Sequence, residues 1–221
     1  MLIDFPLICD SLPALLRGVT VSLGITAVAT FLGISLGTLF GIVLTGKSRS
    51  LRYVITGYVT LFRGTPMLVQ ILFVYYALPQ FGIMIAPFWA AGLAIGLNSC
   101  AYVSQIVQSG IEAVPNGQVE AAKTLGLSSL QTLLYIVLPQ AFRTILPVLG
   151  NEAITLIKDS SLASIIGVME LSKEASIIRS TTYDAFSILL AISLIYLLLT
   201  GGVSLLFKKL ENRRKKYAPG T

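Results

Sequence analysis

Two carboxylates sit in a stretch of chain that is otherwise apolar. Glu152 falls between Pro139 and the pair Lys158-Asp159. A carboxylate at membrane depth is expensive to keep, and by default it marks a functional site. Glu152 and Asp159 are seven residues apart, so a helix carries them on one face with Thr155 between them. Lys158 lies on roughly the opposite side, so a salt bridge within the helix does not neutralise Glu152. Ser160 and Ser161 add hydroxyls where that helix is expected to break. On another apolar run Asn98, Tyr102, Gln105 and Ser109 recur at steps of four, three and four residues, which puts them on one face. A polar stripe on a buried helix faces the bundle interior, either as glue between helices or as the wall of a pathway. A third run is interrupted by Arg63-Gly64-Thr65-Pro66. Glycine and proline at membrane depth free backbone groups, which is tolerated only where protein or a water-filled cavity satisfies them. The expectation is an unwound turn lining a pathway, against the plainer reading of a packing kink. This is chemistry for binding. The chain has no histidine, which removes the commonest metal ligand and acid–base group, so no catalytic residue and no metal ligand is assigned.

The elements that must hold these residues are membrane helices. Charged residues make up 12% of the chain and hydrophobic ones 55%, the balance of a membrane protein. No charge interrupts residues 18–46, 64–111 or 185–207. A crossing needs about 20 residues, so the second run holds more than one. The expected architecture is an all-α integral membrane protein, one domain over 1–221, with five transmembrane helices near 18–45, 53–78, 87–108, 140–158 and 185–207. A cytoplasmic loop is expected near 112–139. Gly33, Gly37 and Gly41 make a small-xxx-small face for close helix contact. The N-terminus carries Asp4 and Asp10 rather than a basic region, so it reads as a retained helix and not a signal peptide. Cys9 and Cys100 indicate no disulfide framework.

Residues 41–48, Gly-Ile-Val-Leu-Thr-Gly-Lys-Ser, match the P-loop pattern letter for letter. A P-loop works only between a strand and a helix, and here a membrane helix precedes it. Lys47, Arg49 and Arg52 are instead read as cytoplasmic anchors. Residues 165–184, with Glu170, Lys173, Glu174, Arg179 and Asp184, read as a mixed-charge outer segment. Lys208-Lys209 and Arg213 to Lys216 read as a stop and anchor. With the N-terminus outside and the C-terminus cytoplasmic, five crossings leave most basic residues in the cytoplasm, as the positive-inside rule asks. The net charge of +6 therefore speaks of orientation in lipid and not of nucleic acid.

One segment cannot lie in lipid. Asn116-Gly-Gln-Val-Glu-Ala-Ala-Lys-Thr-Leu-Gly126 begins as a short run of helix formers. Gly126 is placed to take the left-handed conformation that stops a helix. Ser128 with Gln131 has the spacing of a capping box for a second helix. Glu120 and Lys123 are charged while Ala121 and Ala122 are small, so another protein can approach closely. The expectation is a cytoplasmic knuckle docking into a partner's groove.

Glu120-Ala-Ala122, Gly126 and Ile136-x-Leu-Pro139 closely resemble the "EAA" loop of ATP-binding-cassette importer permeases. Arg63-Gly-Thr-Pro-Met-Leu-Val-Gln70, Leu138-Pro-Gln-Ala141 and Lys158-Asp-Ser-Ser-Leu162 look like the polar amino-acid uptake branch of that family. The resemblance covers about residues 15–210. It implies a type I importer permease fold, with Glu120, Ala121, Ala122 and Gly126 as the coupling helix. It also implies two cytoplasmic ATPase subunits that hold ATP and magnesium, no cofactor on this chain, and a second copy or close relative beside it. An amino-acid-binding protein outside the plasma (inner) membrane completes the set. Within this reading the two acids decide the substrate. A zwitterion needs no net charge from its site, so two acids on one face call for a cationic side chain. The expected substrate is arginine, lysine or a similar basic amino acid facing Glu152 and Asp159. Asn98, Tyr102, Ser160, Ser161 and the backbone at Gly64-Thr65 would supply hydrogen bonds. The alternative keeps Asp159 with Lys158 at a gate and leaves a neutral substrate such as glutamine or cystine. An ion-coupled secondary transporter with Glu152 as its ion site is the remaining alternative, and it lacks the inverted repeat that would favour it.

Overall fold

The computed structural model describes residues 3–215, and no strand occurs among them. The side chains of the expected anchor Arg213 to Lys216 lie outside the described residues. Helix α1 runs Phe5–Leu44, well ahead of the expected start at residue 18. Asp4 explains the early start: its carboxylate accepts the Leu7 N–H at 2.9 Å, and Pro6 occupies the first turn. Helix α2 is Arg49–Gly64 and α3 is Met67–Leu72, continued by a π turn and a 3₁₀ turn to Phe81. Then come α4 Pro87–Glu112, α5 Asn116–Thr124, α6 Ser129–Gln131, α7 Leu138–Asp159, α8 Leu171–Thr182 and α9 Ala185–Lys215.

Among the described residues four helical stretches are long and apolar enough to cross a membrane: Phe5–Leu44, Pro87–Glu112, Ser129–Ile166 and Ala185–Asn212. The pair Arg49–Gly64 and Met67–Phe81, bent by 105°, makes a fifth when counted as one broken span. The span expected to start after Pro139 begins instead at Ser129. Proline lacks an N–H and its ring clashes with the carbonyl four residues back. A π turn at Thr132–Val137 lies immediately before Pro139, and its wider backbone lets the helix run on unbroken.

Helices α1 and α4 form the centre of the bundle, and glycine sets their distance. A Cβ built on Gly33 would lie 2.5 Å from the Ser99 hydroxyl, and one on Gly37 or Gly41 would lie 2.6 Å from Val103 or Val107. The small-residue face therefore packs on α4, where the backbones approach closely. Gly41, the first glycine of the P-loop look-alike, is spent on this packing inside α1. Gly110 receives Ile145 of α7, and Gly150 receives Phe207 of α9.

Glu170 stands apart from the other charges of the mixed-charge segment 165–184. It lies between the fourth and fifth spans and is fully buried. Its carboxylate caps α8, accepting the Ser172 and Lys173 N–H groups at 2.9 and 2.7 Å. Ser22 of α1 donates to it at 3.3 Å and Tyr196 of α9 at 3.4 Å. Three helices thus meet on one carboxylate. Burial pushes its titration above the usual glutamate range, against the pull of those four hydrogen bonds.

Candidate functional site

The site begins at the break between α2 and α3. Thr65 and Pro66 are extended, with ψ of 144° and 137°, because a residue before proline is driven out of the helical region. The chain is unwound here, not merely kinked. The break strands carbonyls that a continuous helix would have paired, and two carboxamides take them up. Gln70 Nε2 donates to the Phe62 carbonyl at 2.8 Å and to the Thr65 carbonyl at 3.1 Å. It also reaches the Thr65 hydroxyl at 2.8 Å. Asn98 Nδ2, from α4, donates to the same Phe62 carbonyl and to Gln70 Oε1, both at 3.0 Å. The Thr65 hydroxyl donates back to Leu61 O at 2.9 Å. Its hydrogen bonding is therefore committed to the turn.

Beside this break lies a cavity of about 400 Å³. Thr65, Pro66 and Met67 form one wall, Asn98 and Tyr102 of α4 a second, and Glu152, Thr155 and Asp159 of α7 a third. Five residues singled out in the sequence thus come together: Thr65, Asn98, Tyr102, Glu152 and Asp159. Ser160 and Ser161 do not join them. After Asp159 the chain tightens into a 3₁₀ turn, Ser160–Ile166, and the serines, one and two residues past Asp159, lie off the acidic face. Ser160 is fully buried and donates to Ile157 O at 2.7 Å.

Ser99 is the neighbour that sequence reasoning missed. Its hydroxyl donates to Glu152 Oε1 at 2.7 Å, and the absent side chain of Gly33 makes room for it. No lysine or arginine among the described residues forms an ion pair with Glu152. Lys158 is exposed, and its charge acts on the neighbouring Asp159 and not on Glu152. The polar stripe of α4 divides. Gln105 lines a second cavity of about 340 Å³ with Arg52, Arg63 and Gln108, while Ser109 is exposed. The Arg63 guanidinium lies 5.1 Å from the Tyr102 ring centroid, stacked where the two cavities approach.

The knuckle is built as two capped helices. Gly126 has φ of +81°, and the N–H groups of Gly126 and Leu127 bond back to Lys123 O and Ala122 O at 2.9 and 3.1 Å, which is a Schellman ending for α5. Ser128 and Gln131 form the reciprocal capping box on α6. Glu120 and Ala121 are exposed. Ala122 is not available to a partner: it is only 3% exposed, facing its own chain. Leu125 instead stands out at 80% exposure, with Leu130 and Tyr135 beside it in sequence also exposed.

Apolar crossing helices, a polar cavity among them and a protruding capped knuckle define a membrane permease. The chain belongs to the family of binding-protein-dependent transport system inner membrane components, which matches residues 33–216. It is 36% identical over 216 residues to the arginine transport system permease protein ArtQ of Bacillus subtilis, covering 97% of this chain and 99% of that protein. It is also 36% identical over 217 residues to the glutamine transport system permease protein GlnP of Escherichia coli K12, with the same coverage. Among solved structures it resembles a chain from the crystal structure of an amino acid ABC transporter with histidines. That match has 37% identity and a TM-score of 0.89, over 96% of this chain and 100% of that one. The chain is thus a transport subunit of an ABC importer, and the ATPase is a separate chain. The ion-coupled alternative falls with this assignment.

Proposed function

We propose that this permease moves basic amino acids, arginine or lysine among them, inward across the plasma (inner) membrane. One observation carries the reading. Glu152 and Asp159 share one wall of a cavity, and no basic side chain among the described residues pairs with Glu152. A carboxylate left unpaired in a low-dielectric site costs several kcal/mol or is neutralised by protonation. The α-ammonium of an amino acid answers one acid and a cationic side chain answers the second. Tyr102 and Asn98 border the same space.

The path of coupling is a continuous one. Glu120, Ala121, Gly126 and the exposed Leu125 form the face that meets an ATPase subunit, in the helix-in-groove mode. The helix that starts at Ser129 runs through the π turn into α7, which carries Glu152 and Asp159. Motion imposed on the knuckle is delivered along one rigid element to the cavity wall. Two cytoplasmic ATPase subunits, holding ATP and magnesium, draw two such knuckles together. A second permease copy or close relative faces this one, and a binding protein delivers substrate from outside. The cavity then alternates between outer and inner access as two discrete states. The N-terminus lies outside and the C-terminal end in the cytoplasm, following the basic residues.

A second reading, a neutral substrate such as glutamine or cystine, is favoured by the equal likeness to the E. coli glutamine permease. Reconstituted transporter with radiolabelled arginine, challenged by unlabelled lysine, glutamine and cystine, separates the two. Stronger competition by glutamine or cystine than by lysine overturns the basic-substrate reading.

A further inference from the structure

We infer that Asn98 is a specificity-determining residue that meets substrate only as a hydrogen-bond acceptor, and that Gln70 is the positioning residue that fixes it so. This deepens the substrate reading above and rests on it for the identity of the cavity.

The polarity follows from groups that cannot change theirs. A carboxamide has one donating and one accepting end, and either end can be turned toward a neighbour. The Phe62 and Thr65 carbonyls only accept, and the break leaves both to be satisfied by side chains. Gln70 must therefore turn its Nε2 toward them, which leaves its Oε1 facing Asn98. That oxygen also only accepts. Asn98 now faces two acceptors, Phe62 O and Gln70 Oε1, each at 3.0 Å, and both of its amide protons are spent on them. What remains for the cavity that Asn98 lines is Oδ1. The wall opposite the break, Glu152 and Asp159, is made of acceptors too when ionised. The cavity thus presents acceptors from two helices and asks the ligand for donors. Ammonium and guanidinium groups supply only donors, while the side-chain amide of glutamine brings one carbonyl that neither Asn98 nor the two carboxylates can pair, which leaves it the Tyr102 hydroxyl alone on these walls. An unpaired acceptor in such a site is discriminated against more strongly than any difference in shape. The polarity of this wall was set by Pro66, some way along the chain, through the carbonyls it strands.

The test measures how well unlabelled arginine and glutamine compete with labelled arginine in proteoliposomes, and takes the ratio of their half-inhibitory concentrations for each variant. Asn98→Ala removes the acceptor and should shrink the preference for arginine about tenfold, the usual worth of one hydrogen bond to a charged donor. Asn98→Asp keeps an acceptor toward the cavity, so the ratio should stay or move further toward arginine even as the rate falls. Gln70→Glu still accepts from Asn98, so it should slow transport and leave the ratio as in wild type. A role confined to packing moves both ligands alike and leaves all three ratios unchanged, which overturns the inference. So does a collapse of the ratio in Asn98→Asp, which would mean that Asn98 donates to the substrate carboxylate. If Asn98→Asp fails to assemble with its ATPase, the ratio in Asn98→Ala decides the matter. The wild-type ratio by itself tests whether the substrate is basic, and the shifts between variants test the polarity of Asn98.

Discussion

Substituting Gly33 should damage the substrate site from the far side of α4, without breaking the bundle. A Cβ at Gly33 would stand 2.5 Å from Ser99 Oγ and 2.9 Å from Ser99 Cβ, where ordinary contact begins at 3.4 Å. The shortfall of about 0.9 Å at the hydroxyl must be relieved. Separating α1 from α4 would disturb Gly37 and Gly41 as well, and overpacking of this kind costs about 1–3 kcal/mol. Rotating the Ser99 hydroxyl relieves the contact at Oγ and gives up the 2.7 Å bond to Glu152, while the 2.9 Å approach to Ser99 Cβ needs a small separation of the two helices as well. A hydrogen bond to a charged group is worth about 1.5–3 kcal/mol, so the expected result for Gly33→Ala is a rise of about tenfold or more in the KM for arginine. Assembly with the ATPase should be retained. Ser99→Ala should raise KM by a similar factor, and the double variant should cost much less than both together, since each acts through the same bond. The assay is arginine uptake into proteoliposomes for the four members of the cycle. Full additivity, or a wild-type KM in Gly33→Ala, would refute the chain of contacts from Gly33 through Ser99 to Glu152.

Coupling and stability give further tests. Gly126→Val meets open space, so its cost is wholly that of forcing φ near +81° on a β-branched residue, about 1–3 kcal/mol. It should insert normally and lose substrate-stimulated ATP hydrolysis; normal stimulation would count against the knuckle. Glu120→Lys reverses an exposed charge and should weaken co-purification of the ATPase, with unchanged recovery as the contrary result. Glu170 is buried, which raises its folded pKa above the ordinary value. It therefore contributes stability that is present below the ordinary glutamate value and is lost as the pH rises through the raised one. Thermal melting of the solubilised protein between about pH 4 and 8 should show wild-type stability falling with pH more steeply than that of Glu170→Gln. Parallel curves would mean that Glu170 titrates normally.

Much of the site is legible where local rules apply. Glu152 and Asp159 share a face because seven residues are two helical turns, and Thr65-Pro66 unwinds because proline restricts the residue before it. Gly126 takes a positive φ where a helix of good formers must stop. What escaped the sequence depends on departures from regular geometry or on partners far along the chain. Ser160 and Ser161 stay off the acidic face, and the 3₁₀ turn that begins after Asp159 does not bring them round to the cavity. The helix passes Pro139 because a π turn takes up the clash. Gln70 meets Phe62 across a bend of 105°, which no periodicity along one helix describes. Ser99 reads as one more small residue in an apolar span until Gly33 is brought against it. Glu170 sits among charged neighbours, and only the approach of α1 and α9 buries it.

If the substrate is a cationic amino acid, Glu152 and Asp159 are what make the cavity a site for it. Glu152→Gln removes one negative charge while keeping the size of the side chain and an oxygen that can accept from Ser99. ATP-driven uptake of labelled arginine by the reconstituted complex, measured for wild type and Glu152→Gln with lysine and glutamine as competitors, tests it most directly. Wild type should be inhibited by lysine far better than by glutamine, and Glu152→Gln should lose most of its arginine uptake and most of that discrimination. Unchanged arginine uptake in Glu152→Gln, or glutamine competing better than lysine in wild type, would contradict it.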